Sequence, residues 1–341
     1  MIRTILPQLS SLVFLAVSSG CGPLPDPRAI YTGDLQSPIF LGTHAISETT
    51  VAISFHEPVE FLKTDFSCIP QLEVTDVVSG ENSIRIAFLK AMTPGTEYAI
   101  SGRVRDTSGN SLQFITKIYG FNANIPDLRV TEFTPRGSGK HPDCVEIVAV
   151  SGGNLAGVVI YEGTANEWDD RLVFPAATIS SGDFIVVHFK PTGIAEEKNE
   201  VVSTNESGGY DATEGAWDYW VPAGDGLSGN NGVLTLYSSP GGSILDAVLY
   251  SNRSSASDER YRGFGSKRLL GQAEHLAQIG AWIAVDGLIR PEDAVNPDGS
   301  TGTRSICRLA GIDTDGKDDW YIVPTRGATF GASNSTAVYV P

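Results

Sequence analysis

Val51-Ala52-Ile53-Ser54-Phe55 puts a large apolar side chain at every second position, and Ile84, Ile86 and Phe88 repeat the pattern further along. A period of two belongs to an extended chain with one buried face, not to a helix. Tyr98, Ile100 and Val104 continue it beyond the turn Thr93-Pro94-Gly95-Thr96. Asp106-Thr107-Ser108-Gly109-Asn110 forms the next turn, where Asp and Asn bond nearby backbone and Gly takes a positive φ. The same reading gives strands at 128–133, 144–150, 158–161, 184–189, 232–237, 244–250 and 303–308. Short strands separated by turn signals predict an all-β fold, with two β-sandwich domains in tandem at 37–122 and 126–335. The second carries a helical insertion at 268–284, with Leu269, Ala273, Leu276, Gly280 and Ile283 along one face.

Composition supports this class. The 37 glycines, 19 prolines and only 19% charged residues suit many strands and tight turns better than a helical bundle. The formal net charge is -16. Affinity for phosphates comes from clustered Lys and Arg, so nucleic acid is a poor partner for the surface as a whole. Arg260, Arg262, Lys267 and Arg268 read as a solvated run.

Residues 1–20 combine Arg3, an apolar run centred on Leu12 to Val17, and Ser18-Ser19-Gly20 before Cys21. This is the pattern of a secretory signal, too short to span a bilayer comfortably. Small residues directly before a cysteine resemble the bacterial lipobox, although Ser18 stands where Leu is usual. The resemblance implies a lipidated Cys21 and a proline-rich tether at 21–36. Each buried methylene contributes about 0.8 kcal/mol, so two or more chains hold firmly where one binds reversibly. The expected location is the bacterial cell envelope, membrane-anchored, at the outer membrane or periplasmic face.

Two further resemblances carry the functional expectation. Val51-Ala-Ile-Ser-Phe-His-Glu-Pro-Val59, Met92-Thr-Pro-Gly-Thr-Glu-Tyr98 and Asp106-Thr-Ser-Gly-Asn110 resemble bacterial Ig-like domains of the SwmB/Big type. Val130-Thr-Glu-Phe133, Cys144-Val-Glu-Ile147, Gly232-Val-Leu-Thr-Leu-Tyr237, Ser305-Ile-Cys-Arg308 and Gly327-Ala-Thr-Phe-Gly331-Ala-Ser-Asn334 resemble, in their order, the lamin-tail domain family, whose bacterial members are exported proteins. The implied fold is Ig-like in both halves. The implied role is a binding or scaffolding module, with an Ig-like spacer presenting a lamin-tail-like domain to a protein or glycan partner. The alternative is an envelope hydrolase acting on glycans or phosphodiesters with carboxylates of the 196–231 insertion.

Specific chemistry is sparse. His56-Glu57 lacks the second His of a zincin helix, and Gly139-Lys140 lacks the rest of a phosphate loop. His188 reads as a satisfied sheet residue. The 196–231 insertion gathers Trp217, Tyr219 and Trp220 beside Asp218, rings that suit stacking on sugars or anchoring a partner. Asp313, Asp315, Asp318 and Asp319 offer oxygen ligands for a structural calcium, without the EF-hand order; no other cofactor is expected. With Cys21 lipidated, Cys68, Cys144 and Cys307 remain, and Cys144 with Cys307 is the expected disulfide pair. Burial as small hydrophobes is the competing reading.

Overall fold

The computed structural model describes residues 34–61 and 65–341. Residues 1–20, read above as an export signal, and Cys21 lie outside them. Residues 37–341 form one compact unit, mostly β, with two hydrophobic cores. Among the described residues no helix is long and apolar enough to cross a membrane.

The first core is built by β1 (Phe40–Ser47), β2 (Thr50–Phe55), β3 (Val59–Phe61), β4 (Ser67–Ile69), β5 (Val74–Ser79), β6 (Ser83–Phe88), β7 (Glu97–Asp106) and β8 (Ser111–Tyr119). One sheet has the order β1-β2-β6-β5; in the other, β7 pairs with β3, β4 and β8. Val51, Ile53, Phe55, Ile84, Ile86 and Phe88 meet Tyr98, Ile100, Val104 and Phe114. These are the alternating positions read from the sequence.

The second core lies between a six-stranded and a four-stranded sheet. Its strands are β9 (Leu128–Thr134), β10 (Cys144–Ala149), β11 (Gly153–Asn154), β12 (Val159–Thr164), β13 (Glu167–Val173), β14 (Thr178–Ile179), β15 (Phe184–His188), β16 (Trp217–Trp220), β17 (Asn231–Tyr237), β18 (Ile244–Ser251), β19 (Ile306–Arg308) and β20 (Trp320–Ile322). The larger sheet runs β16-β15-β10-β9-β19-β20 and the smaller β13-β12-β17-β18. β16 joins β15 in parallel and so lies at the sheet edge.

The helix α1 (Lys267–Gln278) buries Leu269, Ala273 and Leu276, as expected. Its Ser266 cap accepts a hydrogen bond from the Leu269 amide at 3.1 Å. It is shorter than 268–284: Gly280 takes a positive φ of 73° and ends it, leaving Ile283 half exposed.

The two cores are joined by polar clamps. Asn122 Nδ2 donates to the carbonyls of Asn154 (2.7 Å) and Ala156 (3.0 Å). Gly95 meets Gly157 so closely that a Cβ on Gly95 would lie 2.6 Å from the Gly157 nitrogen.

Candidate functional site on the outer face of the six-stranded sheet

Strand alternation sends Val145, Ile147, Ile185, Val187 and Tyr219 into the core. It turns Cys144, Glu146, His188 and Asp218 to the opposite face. A bulge in β9, between the pairs Glu146–Glu132 and Ile147–Val130, brings both Thr131 and Glu132 to that side. This outer face is polar yet buried, because residues 327–335 lie across it. Thr329 and Gly331 donate to Glu132 and Glu146, and Phe330 packs against Cys144, Val186 and Ala216.

At one end of the row, Cys144 Sγ lies 3.3 Å from His188 Nδ1, and His188 Nε2 lies 2.7 Å from Asp218 Oδ1. All three residues are within 1% of fully buried. With Nε2–H donating to the Asp218 carboxylate, Nδ1 is left to accept from the thiol. The order thiol, imidazole, carboxylate is that of an activated cysteine nucleophile. Here, however, burial and surrounding carboxylates push the Cys144 thiol far above its ordinary value, so it is neutral and inert in this conformation.

Beside the row lies a cavity of about 540 Å³ lined by His141, Asp211, Thr213, Arg326 and Phe330. His141 Nδ1 sits 2.8 Å from Asp211 Oδ1, and Asp211 takes a positive φ of 61°. Phe330 is shared by this cavity wall and the cover over Cys144.

The aromatic set expected as a stacking surface is interior. Trp217 and Tyr219 belong to the second core, and Trp220 stacks on the His188 ring at 3.9 Å. The indole nitrogens are also engaged, Trp217 with Asp183 and Trp220 with Ser207. Asp218 is held by His188 and the Thr213 amide. The physical reason is that 217–220 extends the six-stranded sheet as β16, which covers one face and tucks the other under the insertion.

The carboxylates of that insertion are likewise internal acceptors. Glu200 accepts from the amides of Glu206, Ser207 and Asp218, and Glu197 from Thr192 and Gly193.

The four aspartates expected to share a calcium do not converge. Asp313 and Asp315 lie near Asp246, while Asp319 accepts from the amide and hydroxyl of Thr314, both at 2.7 Å, and Asp318 is exposed. The Asp246 cluster is already occupied by the Arg308 guanidinium. Its Nη2 reaches both Asp246 oxygens (2.9 and 2.8 Å) and its Nη1 reaches Asp313 (2.6 Å). Burial nevertheless raises the Asp246 carboxyl to about 6.

The expected Cys144–Cys307 disulfide is also corrected. Cys68, Cys144 and Cys307 are free and buried. β10 and β19 flank β9 on opposite sides, so the two cysteines are about two strand spacings apart, roughly 9–10 Å. A disulfide requires Cα atoms within about 7 Å.

Comparison with known proteins gives little functional detail. A family model described as TP_1001_2nd, protein second domain, matches residues 126–322, more than half of the chain. An uncharacterized protein of Treponema pallidum (strain Nichols) is 27% identical over 169 residues, covering 49% of this chain and 42% of that protein. The chain therefore spans less than half the length of the curated relative it matches. Among solved structures, the N-terminal part of the bacterial S-layer protein SbsC is 12% identical, covering 63% of this chain and 44% of that one with a TM-score of 0.25. Domains 1–6 of surface layer protein SbsC give 12%, 64%, 41% and 0.24. TM-scores this low have no bearing on fold or role.

Proposed function

This chain belongs to the family described as TP_1001_2nd, protein second domain, and from that premise we infer that it is a lipid-anchored scaffold or binding module of the bacterial cell envelope. In this reading Cys21 carries the lipid, an Ig-like sandwich built on the first core is the spacer, and a lamin-tail-like sandwich built on the second is presented to a partner. The observation that carries scaffold over enzyme is the fate of the insertion's acids. A hydrolase needs convergent carboxylates facing substrate, whereas Glu197, Glu200 and Asp218 accept hydrogen bonds from the insertion itself and from the sheet edge it covers. They fasten a loop.

Detergent partitioning with protease treatment of intact cells, native protein against Cys21→Ala, tests the reading. Native protein in the detergent phase and Cys21→Ala in the aqueous phase are expected. Both forms in the aqueous phase would overturn the anchor and leave a secreted module.

A further inference from the structure

The outer face of the six-stranded sheet carries ionisable groups that scaffolding does not require. β9 and β10 set Glu132 and Glu146 directly opposite each other, and both are 0% exposed. Directly opposed residues have Cβ atoms about 4.5–5.5 Å apart, and like charges at that spacing repel. Among the described residues neither glutamate is ion-paired with a Lys or Arg. Their partners are hydroxyls and amides: Ser305 and Thr329 on Glu132, Thr131 and Gly331 on Glu146.

The covering segment reads Gly327-Ala-Thr-Phe-Gly-Ala-Ser-Asn-Ser335 and contains no titratable side chain. Thr329 donates to Glu132 through its amide (2.8 Å) and hydroxyl (2.6 Å), and the Gly331 amide donates to Glu146 (2.7 Å). Asn334 Nδ2 donates to the carbonyls of Thr131 and Arg308, both at 2.9 Å, and Tyr321 donates to the Ser335 carbonyl. Three of these six bonds end on the two glutamates.

We propose that residues 327–335 are a proton-operated latch, closed while Glu132 and Glu146 retain a proton between them and released when both ionise, uncovering Cys144 and Cys307.

The groups beside the pair are Cys307 from β19, Tyr321 from β20 and Cys144 on β10, with His188 of β15 and Asp218 of β16 further along the same face; none is a permanent cation. Arg326, just before the strap, lines the neighbouring cavity. Burial, reinforced by Glu132, raises the Glu146 carboxyl to about 8, and burial raises Glu132 as well. Burial keeps the Cys307 thiol protonated and holds the Tyr321 phenol up at about 12. Once the strap lifts, water reaches the glutamates and they return towards an ordinary value of about 4.3. The closed state therefore binds more protons than the open state between that value and about 8. Raising the pH through this window favours opening, by up to about tenfold per pH unit for one linked proton. Below it the latch is closed and its equilibrium flat.

The test is alkylation of the full chain with N-ethylmaleimide from pH 5.5 to 9, read per cysteine by peptide mass spectrometry. Thiolate chemistry accelerates every cysteine with pH. Cys68, buried in the first core away from the strap, supplies that baseline. Cys144 and Cys307 are expected to gain at least about tenfold over Cys68 between pH 6 and 8, and Glu146→Gln to abolish the excess. All three thiols rising in parallel, or an excess that persists in Glu146→Gln, would overturn the latch. Should Glu146→Gln fail to fold, amide hydrogen exchange of the native strap decides. Exchange at Thr329 and Gly331, corrected for its intrinsic pH dependence, is expected to accelerate through the same window, and a flat profile would refute the proposal.

Discussion

The two faces of the six-stranded sheet are equally buried and chemically opposite. The inner face holds Val130, Phe133, Val145, Ile147, Ile185 and Ile306, and its buried Arg308 is paired with Asp246 of the smaller sheet. The outer face holds Glu132, Cys144, Glu146, His188, Asp218 and Cys307. The inner face is closed by a second sheet whose fit is set by shape. The outer face is closed by nine residues without charge over the glutamates and by the insertion over His188, and its fit is set by hydrogen bonds to groups that can gain or lose protons. Apolar burial varies little with pH, whereas a buried carboxylate couples its cover to the solution. The faces should therefore differ in how much a substitution costs and in whether that cost depends on pH.

The largest effect is expected inside. Phe133 is fully buried, with its ring 5.4 Å from those of both Tyr250 and Trp320. Phe133→Ala should cost roughly 3–5 kcal/mol in urea unfolding, with little change between pH 6 and 8. A loss under about 1 kcal/mol would mean that the core is not packed around this ring.

The outer face should give a smaller effect that changes with pH. The Glu146 carboxyl is raised in the folded protein, so the folded state binds more protons than the unfolded one between about 4.3 and about 8. Stability should fall as pH rises across that window and level off above it. Glu146→Gln should remove much of the slope and exceed the native protein at pH 8.5 by roughly 2–4 kcal/mol, while matching it more closely near pH 5. Thermal melts across this range are the check; parallel curves for both proteins would erase the distinction between the faces.

A third contrast lies where the two cores meet. Removing the Asn122 amide leaves the Asn154 and Ala156 carbonyls without their clamp, and Asn122→Ala should cost about 1–2 kcal/mol. Limited proteolysis at the junction should speed up correspondingly. An unchanged rate would show that the Gly95–Gly157 contact holds the halves without it.

The inner face was legible in the sequence because burial against another sheet writes a period of two. Positions 51, 53, 55, 84, 86 and 88 all face the first core, and the strands at 128–133, 144–150 and 184–189 are found within a residue or so of their expected ends. The outer face was not legible. Val130-Thr-Glu-Phe133 and Cys144-Val-Glu-Ile147 show a glutamate at alternating positions, which normally marks a solvent-facing side. The missing information is the return of residues 327–335 from far along the chain, and periodicity does not encode such long-range covering. The same gap separates Cys144 from Cys307: their strands were recognised, but the intervening β9 follows only from sheet order. Nor does the run of aspartates from Asp313 to Asp319 signal that Asp313 would share Arg308 with the distant Asp246.

The smallest predicted effect tests whether the insertion's rings are structural. Trp220 stacks on His188 and donates through Nε1 to Ser207 at 2.8 Å. Trp220→Phe keeps an aromatic face over the imidazole and removes only that donor, so the loss should be about 1 kcal/mol. Trp220→Ala removes the cover as well and should admit solvent to His188, which would appear as a change in the imidazole resonances. If Trp220→Phe were as damaging as Trp220→Ala, the hydrogen bond to the 196–231 loop would be what orders the edge strand. If neither variant moved the imidazole signal, the stack would contribute nothing to sealing the outer face. The expected ranking, Ala worse than Phe, follows from the ring serving as a lid on His188, with its donor a secondary tie to the loop.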